Sequence, residues 1–542
     1  MPELRPWRAA RPHVVRIVNA VLPRLAGGAA TARPRVARLV RAVKPQLTRI
    51  PGPRTARTWQ FTAGAATAGL ALAAGVVTAA GPWDANGQRT AERDRAAALE
   101  RAGGADHGDD SGTASGGPRP APSAAPVLTA LGGTASAADT KGTKDTGRGT
   151  GDTTGVAGTG KPLADVLGPL LAAPALGGSH TAVVVDAVTG ERLYATGADK
   201  ALTPASTTKI ATAVAALSAL GPDHRLTTRA VLEPGAGKLV LVGGGDPTLT
   251  ARKDPGGWAG LRTLATDTAK ALRARGVHEV ALSYDTSLYS GPGLHPIGVN
   301  DNLAPVSALM ADEGRADATT SGPAPRVPDP AAGAARTFAD LLGKAGIKTT
   351  APGPGKATGR ATALASVASP PLSALVERML TDSDNDIAEA LARQTAVATG
   401  GRADFDGGAR AIAAQLTKLG LPTAGSVFHD GSGLNRDDRL TANLLTALLA
   451  KAASPGRPDL RPVLTGLPVA GFTGTLSDRY ANGAAGVVRA KTGTLTGVNS
   501  LAGTVADRGG RLLAFAFLAS GTTNAVEAQA ALDATATALA DR

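Results

Sequence analysis

The sequence predicts an α/β (α+β) domain built on an antiparallel sheet, and three observations carry that expectation. Residues 181–186 and 191–195 are two β-like runs joined by Val188-Thr-Gly190, a hairpin at the start of the folded region. Residues 501–505 and 511–517 flank Asp507-Arg-Gly-Gly510 and form a second hairpin near the end. Between them lie segments with apolar residues at helical spacing. Strands at both ends with helices between suit one antiparallel sheet carrying packed helices.

The 542-residue chain is long enough for several domains, and its composition divides it unevenly. Cysteine is absent, which excludes disulfides, thiolate metal sites and a cysteine nucleophile. The seven histidines are scattered with no His-Glu-x-x-His pair, so the expectation is chemistry without a metal or other cofactor. The formal net charge of +13 is concentrated at one end: residues 1–60 hold thirteen Lys or Arg against one acid, Glu3. A nucleic-acid-binding domain would spread such charge over a folded face. Here it forms a basic arm whose mixture of Arg and apolar residues suits anionic lipid, and no nucleic-acid partner is expected.

Residues 61–82 follow the arm. The uncharged run 61–81 would reach roughly 31 Å as a helix at about 1.5 Å per residue, one hydrocarbon thickness. Basic residues precede it, so the arm should stay in the cytoplasm and everything beyond residue 82 should face outward. The expectation is a single-pass anchor in the cell membrane with an extracellular folded domain. The alternative is a secreted chain after signal cleavage, although sixty residues is long for the n-region of a cleaved signal. Residues 83–160 are Gly, Ser, Thr, Ala, Asp and Pro with little apolar periodicity, and read as a disordered linker.

Folded sequence begins near Lys161. Leu163, Val166, Leu167, Leu170 and Leu171 fall at helical spacing, and the first hairpin follows. Ser206, preceded by Pro204 and followed by Ile210, Val214 and Leu217, sits at the first turn of a helix whose far end should be buried. The run Lys238-Leu-Val-Leu-Val242 is β-like. Residues 372–398 read as mainly helical, 411–419 and 441–451 as two more helices, and 526–539 as a closing helix.

Three short motifs stand in order. In Ser206-Thr-Thr-Lys209 the serine and lysine share a helix face, so the amine can reach the hydroxyl. A serine hydroxyl is a poor nucleophile until a base removes its proton, and a lysine serves when burial and nearby positive charge depress its pKa. Ser383-Asp-Asn385 can project a hydroxyl and an amide into one cleft from a tight turn, the hydroxyl relaying a proton to a leaving amine and the amide holding a substrate carbonyl; it also reads as an N-cap for a helix beginning near Ile387. Lys491-Thr-Gly-Thr494 follows a β-like run. There Lys491 would be a fixed positive charge, Thr492 and Thr494 hydroxyl donors for a terminal carboxylate, and Gly493 a place for a substrate backbone to approach. Ser432, beside His429 and Asp430, lies in a Gly-rich stretch without a G-x-S-x-G elbow and reads as a loop.

Each motif alone is weak, but the ordered triple is the signature of penicillin-binding proteins and class A β-lactamases. With Gly243-Gly-Gly-Asp-Pro-Thr-Leu249, Asp430-Gly-Ser-Gly-Leu434 and Leu467-Pro-Val-Ala-Gly471, the sequence resembles the class C (low-molecular-mass) penicillin-binding proteins, the D-alanyl-D-alanine carboxypeptidase/endopeptidase family, over roughly residues 161–542. The resemblance implies a penicillin-binding-protein/β-lactamase-like transpeptidase fold, with the peptidase domain in 161–221 and 351–542. A smaller inserted domain is expected over 222–350. It implies acyl transfer through Ser206, with Lys209 as base and the backbone N–H groups of Ser206 and Thr494 as oxyanion hole. Peptidoglycan stem peptides are the implied substrates and β-lactams the implied inhibitors.

Two rivals are weighed against this reading. A β-lactamase of class A deacylates through a glutamate between the second and third motifs, and no glutamate stands between Ala390 and Ala490. The other is a wall-anchoring or sensing protein with a weakened peptidase domain, against which all three motifs are intact.

Overall fold

Helix α1 (Leu163–Leu171) buries Leu167 and Leu171. The hairpin of β1 (Ser179–Asp186) and β2 (Arg192–Thr196) comes next. Its turn is fastened by the Asp186 carboxylate, which accepts the N–H of Val188 and Thr189, and closed by Gly190 at φ +76°. The computed structural model describes residues 162–235, 237–480 and 483–542. The expected basic arm (1–60), membrane helix (61–82) and linker (83–160) lie outside the described residues. Among the described residues no helix is long and apolar enough to cross a membrane.

A 3-10 turn, Ala205–Thr207, leads into α2 (Thr208–Leu220). This helix is buried from Thr208 to Leu217, not merely at its far end. The chain then builds a second sheet: β3 (Thr227–Leu232), β4 (Lys238–Val242), α3 (Leu261–Arg273), β5 (Glu279–Asp285), α4 (Pro330–Lys344), β6 (Lys348–Thr349), β7 (Gly353–Pro354) and β8 (Thr362–Ala368). The strand order is β6-β5-β4-β3-β8, with β7 also on β5. β4 and β5 are parallel, a pairing that needs a crossover, and α3 provides it. Leu239, Leu241, Leu264, Leu272, Phe338 and Leu342 form a core of its own.

After the second sheet come α5 (Leu372–Thr381), α6 (Asn385–Ala398), α7 (Phe405–Lys418), α8 (Ala442–Ala453) and the short α9 (Arg461–Thr465). The chain ends with β9 (Val488–Leu495), β10 (Val498–Ala506), β11 (Leu512–Ser520) and α10 (Ala525–Ala540). The main sheet is antiparallel throughout, in the order β2-β1-β11-β10-β9. Side chains alternate across β11 as a strand requires. Leu513, Phe515 and Phe517 pack with Leu167, Leu532 and Leu539 of α1 and α10. Ala514, Ala516 and Leu518 join the cluster that holds α2, α6, α7 and α8. Both faces of the sheet are therefore covered, and α2 runs through the helical layer.

Three expectations change. The inserted segment was expected to end near 350, but β8 pairs with β3 and carries the second sheet to Ala368. Its run of small residues, with a burial pattern mostly exposed, gives no apolar alternation to read. The helical stretch 372–398 is two helices broken at residues 382–384. Helix α7 begins at Phe405 rather than 411, because Asp404 caps it by accepting the Gly407 N–H at 2.8 Å.

Phe515 is fully buried and its ring lies 5.0 Å from that of Phe517. Phe515→Ala should therefore lower unfolding free energy by about 3–5 kcal/mol, measured by urea denaturation; a change within the error of the measurement would contradict this core assignment.

Candidate active site

The motif serine sits on a strained turn. Ala205 has φ +50°, a left-handed conformation that costs a non-glycine residue about 1–2 kcal/mol. Neighbouring bonds hold it there: Ser500 Oγ and Thr207 Oγ1 each donate to Pro204 O at 2.7 Å. Gly493 of β9 backs the same turn, since a Cβ on it would stand 2.2 Å from Ser500 Oγ and 2.6 Å from Pro204 O. Gly493 was expected to admit a substrate backbone. The structure assigns its missing side chain to the protein's own turn, because strand alternation points Gly493 inward and Thr492 and Thr494 outward.

One turn later, Lys209 has no exposed surface. Its Nζ lies 3.0 Å from Ser206 Oγ, 2.7 Å from Asn385 Oδ1 and 2.7 Å from the Ser432 carbonyl. Three N–H donors meet three oxygens, which satisfies an ammonium. Burial lowers its pKa to about 8, outweighing the opposing pull of Asp430, Glu389, Asp384 and Asp386. When the lysine is neutral, two N–H remain for the two carbonyl oxygens, neither of which has a proton to give. The lone pair then faces Ser206, the partner that does. That is the arrangement a general base requires.

The second motif occupies the break between α5 and α6. Ser383 takes φ +58°, and Asp384 N–H returns to Met379 O at 3.0 Å. Asp384 is the N-cap of α6, accepting Ile387 N–H at 2.9 Å. The capping and cleft readings therefore both hold: Asp384 turns inward to cap while Ser383 and Asn385 line the cleft. Asn385 Nδ2 donates to Asn302 O of the inserted segment at 2.9 Å, which fixes its oxygen toward Lys209.

The third motif lies on β9, the edge strand of the main sheet. Thr492 Oγ1 donates to Thr475 Oγ1 at 2.9 Å, and Thr494 Oγ1 accepts from Gln529 at 3.3 Å. Lys491 is buried, and burial with Lys209 and Arg479 nearby pushes its pKa well below the usual lysine range. Burial and the two neighbouring cations both disfavour the ammonium form of the fixed positive charge expected there.

Ser206, Ser383, Asn385, Thr492 and Thr494 line one cleft of about 480 Å³, while Lys209, Lys491 and Gly493 are not among its lining residues. Its far wall comes from the inserted segment, with Asn302, Arg315 and Arg326, and Arg479 adds a further guanidinium. Arg479 is tied to Asp533 of α10 through Nε at 2.9 Å. The other arginines brace the second motif: Arg326 pairs with Asp386 at 2.8 Å and Arg315 with Glu313 at 2.8 Å. Arg378 bridges Glu313 and Asp384. The three acids stand close enough to hold a cation, but these guanidiniums already balance their charge. Sequence reasoning missed Asn302, Arg315, Arg326 and Arg479, which lie outside the helices and strands without a motif, and Arg378 within α5; it missed the Ser432 carbonyl because no residue type marks a backbone oxygen.

A buried lysine on a serine, with an amide and a threonine-bearing edge strand across the cleft, defines a serine hydrolase of the serine–lysine type on an α/β fold. The sequence pattern of the D-Ala-D-Ala carboxypeptidase 3 (S13) family matches residues 163–325 and 316–541, and the chain belongs to that family. It is 40% identical over 376 residues to carboxypeptidase DacB of Mycolicibacterium smegmatis, covering 67% of this chain and 80% of that one. It is 32% identical over 445 residues to the D-alanyl-D-alanine carboxypeptidase of Actinomadura sp., covering 66% and 81%. The fold matches the crystal structure of penicillin binding protein 4 from Haemophilus influenzae with a TM-score of 0.56 at 23% identity, over 68% of this chain and 97% of that one.

Two outcomes are expected. Gly493→Ala should destabilise the fold by about 1–3 kcal/mol and slow any reaction at Ser206, read as a lower melting temperature together with a lower rate of acylation. The acylation rate itself should rise with pH through about 8, because Lys209 acts only after losing its proton; a rate that is flat from pH 6 to pH 9 would remove the lysine from the base role.

Proposed function

We propose that the chain removes the terminal D-alanine from peptidoglycan stem peptides through an acyl-enzyme on Ser206. The observation that carries this reading is the 3.0 Å contact between buried Lys209 Nζ and the Oγ of Ser206, which lines the cleft. Neutral Lys209 takes the hydroxyl proton as Oγ attacks the carbonyl carbon of the penultimate D-alanine. The oxyanion is received by the backbone N–H groups of Ser206 and Thr494, donors of a kind worth about 3–4 kcal/mol each. Ser383 relays that proton from the Lys209 ammonium to the leaving amine, whose carboxylate Thr492 and Thr494 hold, and D-alanine departs with Lys209 neutral again. Lys209 then takes a proton from water as the water oxygen attacks the acyl carbon, and returns it to Ser206 Oγ as the ester bond breaks. The leaving amine of a cross-linked peptide would enter the same steps, so endopeptidase activity belongs to the same reading.

β-Lactams resemble the terminal dipeptide and should form the same ester. Glu389 is the glutamate between the second and third motifs, but it is buried and its oxygens accept the N–H groups of Gly431 and Ser432. It is not among the residues that line the cleft, which supports a long-lived penicilloyl adduct over turnover. The wider reading places this domain outside a cell membrane, anchored through residues 61–82 and tethered by 83–160; its support is the uncharged run behind a basic arm.

Incubation of the full chain with a stem pentapeptide should release D-alanine, and Ser206→Ala should reduce that release by at least about 10³-fold. Unchanged release from the variant would sink the assignment. Intact-mass measurement should show a stable penicillin adduct, and rapid penicillin hydrolysis would point instead to a β-lactamase. Washing membranes with high salt should leave the chain bound, whereas salt release would contradict the anchor.

A further inference from the structure

The Gly-rich loop at residues 430–435 takes no part in those steps, yet it touches both the nucleophile's turn and the base. A Cβ on Gly433 would stand 2.0 Å from Ala205 O, so the loop lies directly against the turn that carries Ser206. Two acids with almost no exposed surface, Asp430 at 0% and Glu389 at 1%, order its backbone. Glu389 Oε1, from α6, accepts Ser432 N–H at 2.8 Å and Gly431 N–H at 3.1 Å. Asp430 Oδ1 accepts Gly433 N–H at 2.6 Å, and its Oδ2 accepts Asn435 N–H at 2.7 Å. His295 of the inserted segment bonds Asp430 Oδ2 through Nε2 at 3.0 Å, while its Nδ1 accepts Ile297 N–H at 3.2 Å. The peptide unit joining Ser432 to Gly433 therefore has its N–H on Asp430 and its carbonyl on Lys209 Nζ. A single amide separates the carboxylate from the base.

We propose that Asp430 and Glu389 are positioning residues for Lys209: they fix and polarise the Ser432 carbonyl, which in turn aims the amine at Ser206. The inference rests on the Lys209–Ser206 reading given above. An amide held between an anion and a cation is polarised by both, so each of its hydrogen bonds strengthens the other in a site without water. Two buried carboxylates would be costly without such partners, and the donors they find are the N–H groups of this loop and His295.

The charges around the amine are these. Asp430, Glu389, Asp384 and Asp386 favour its ammonium form, and Lys491 on β9 stands close enough to oppose it. Around the two carboxylates stand His295, Arg393 and Asp438. Burial and Asp430 raise Glu389 to about 7, whereas the Gly431 and Ser432 N–H groups it accepts favour its ionised form. Removing either negative charge leaves the ammonium less favoured, and the acid limb of the reaction moves to lower pH.

The test is the rate of penicillin acylation against pH for the full chain, Asp430→Asn and Glu389→Gln, with melting temperature as the check on folding. A parent chain that does not acylate defeats the reading of the site itself, before any variant is compared. With an acylating parent, each folded variant should lose roughly 10- to 100-fold in plateau rate and show its acid limb at lower pH. A folded variant with the parent's rate and limb overturns the proposal. So does a lower rate with the limb unmoved, or failure of both variants to fold, since either outcome assigns the pair to the scaffold alone.

Discussion

A lysine amine with no exposed surface is the constraint from which the arrangement of the site follows. Such a group is tolerated only where oxygens replace the water it has lost, and here they come from three places in the chain: the turn that leads into its own helix, the start of α6 and the loop at Ser432. Each of those must be brought in by a different part of the fold. Helix α2 is buried because the helical layer surrounds it, α6 starts where it does because Asp384 caps it, and the loop is pinned by two acids behind it. Any movement among these elements would leave a charge unpaired in a dry interior, which gives the geometry its rigidity.

The second sheet is part of that geometry rather than an appendage. Asn302 O receives Asn385 Nδ2, Ala304 N–H binds Asp386 at 3.0 Å, and Gly244 O receives Gln394 at 2.9 Å. Buried Arg393 donates to Ser290 O, Pro292 O and Ala403 O, joining the inserted segment to α6 and the loop before α7. Buried ion pairs contribute little net stability once desolvation is counted, but breaking one is costly. The pairs of Arg315, Arg326 and Arg378 with Glu313, Asp384 and Asp386 thus fix the insertion's register against the second motif more than they hold the fold together.

Much of this was legible in one dimension because it depends on local chemistry. The terminal hairpins announce themselves through turn residues between apolar runs, and β1, β2, β10 and β11 fall where those runs lie. The residues of the three motifs were legible as residue types at fixed spacing. Less could be read where side chains are small. β8 has no apolar alternation, and the break between α5 and α6 rests on one left-handed residue, Ser383, whose type does not announce it. Two positions also differ from expectation through burial: Gly493 accommodates the nucleophile's own turn, and Lys491 stands without solvent, which disfavours its charge.

By itself, the sequence determined which groups can meet, since Ser206 and Lys209 are one helical turn apart whatever surrounds them. It also determined the antiparallel α/β class, through periodicity that needs no partner to be seen. Only the tertiary structure decided what poises the amine: the desolvation that lowers its pKa, the Ser432 carbonyl, and the carboxylates of Asp430 and Glu389 behind that carbonyl. The physical reason is that burial and backbone oxygens belong to no residue type; they arise when distant segments close over one another and exclude water.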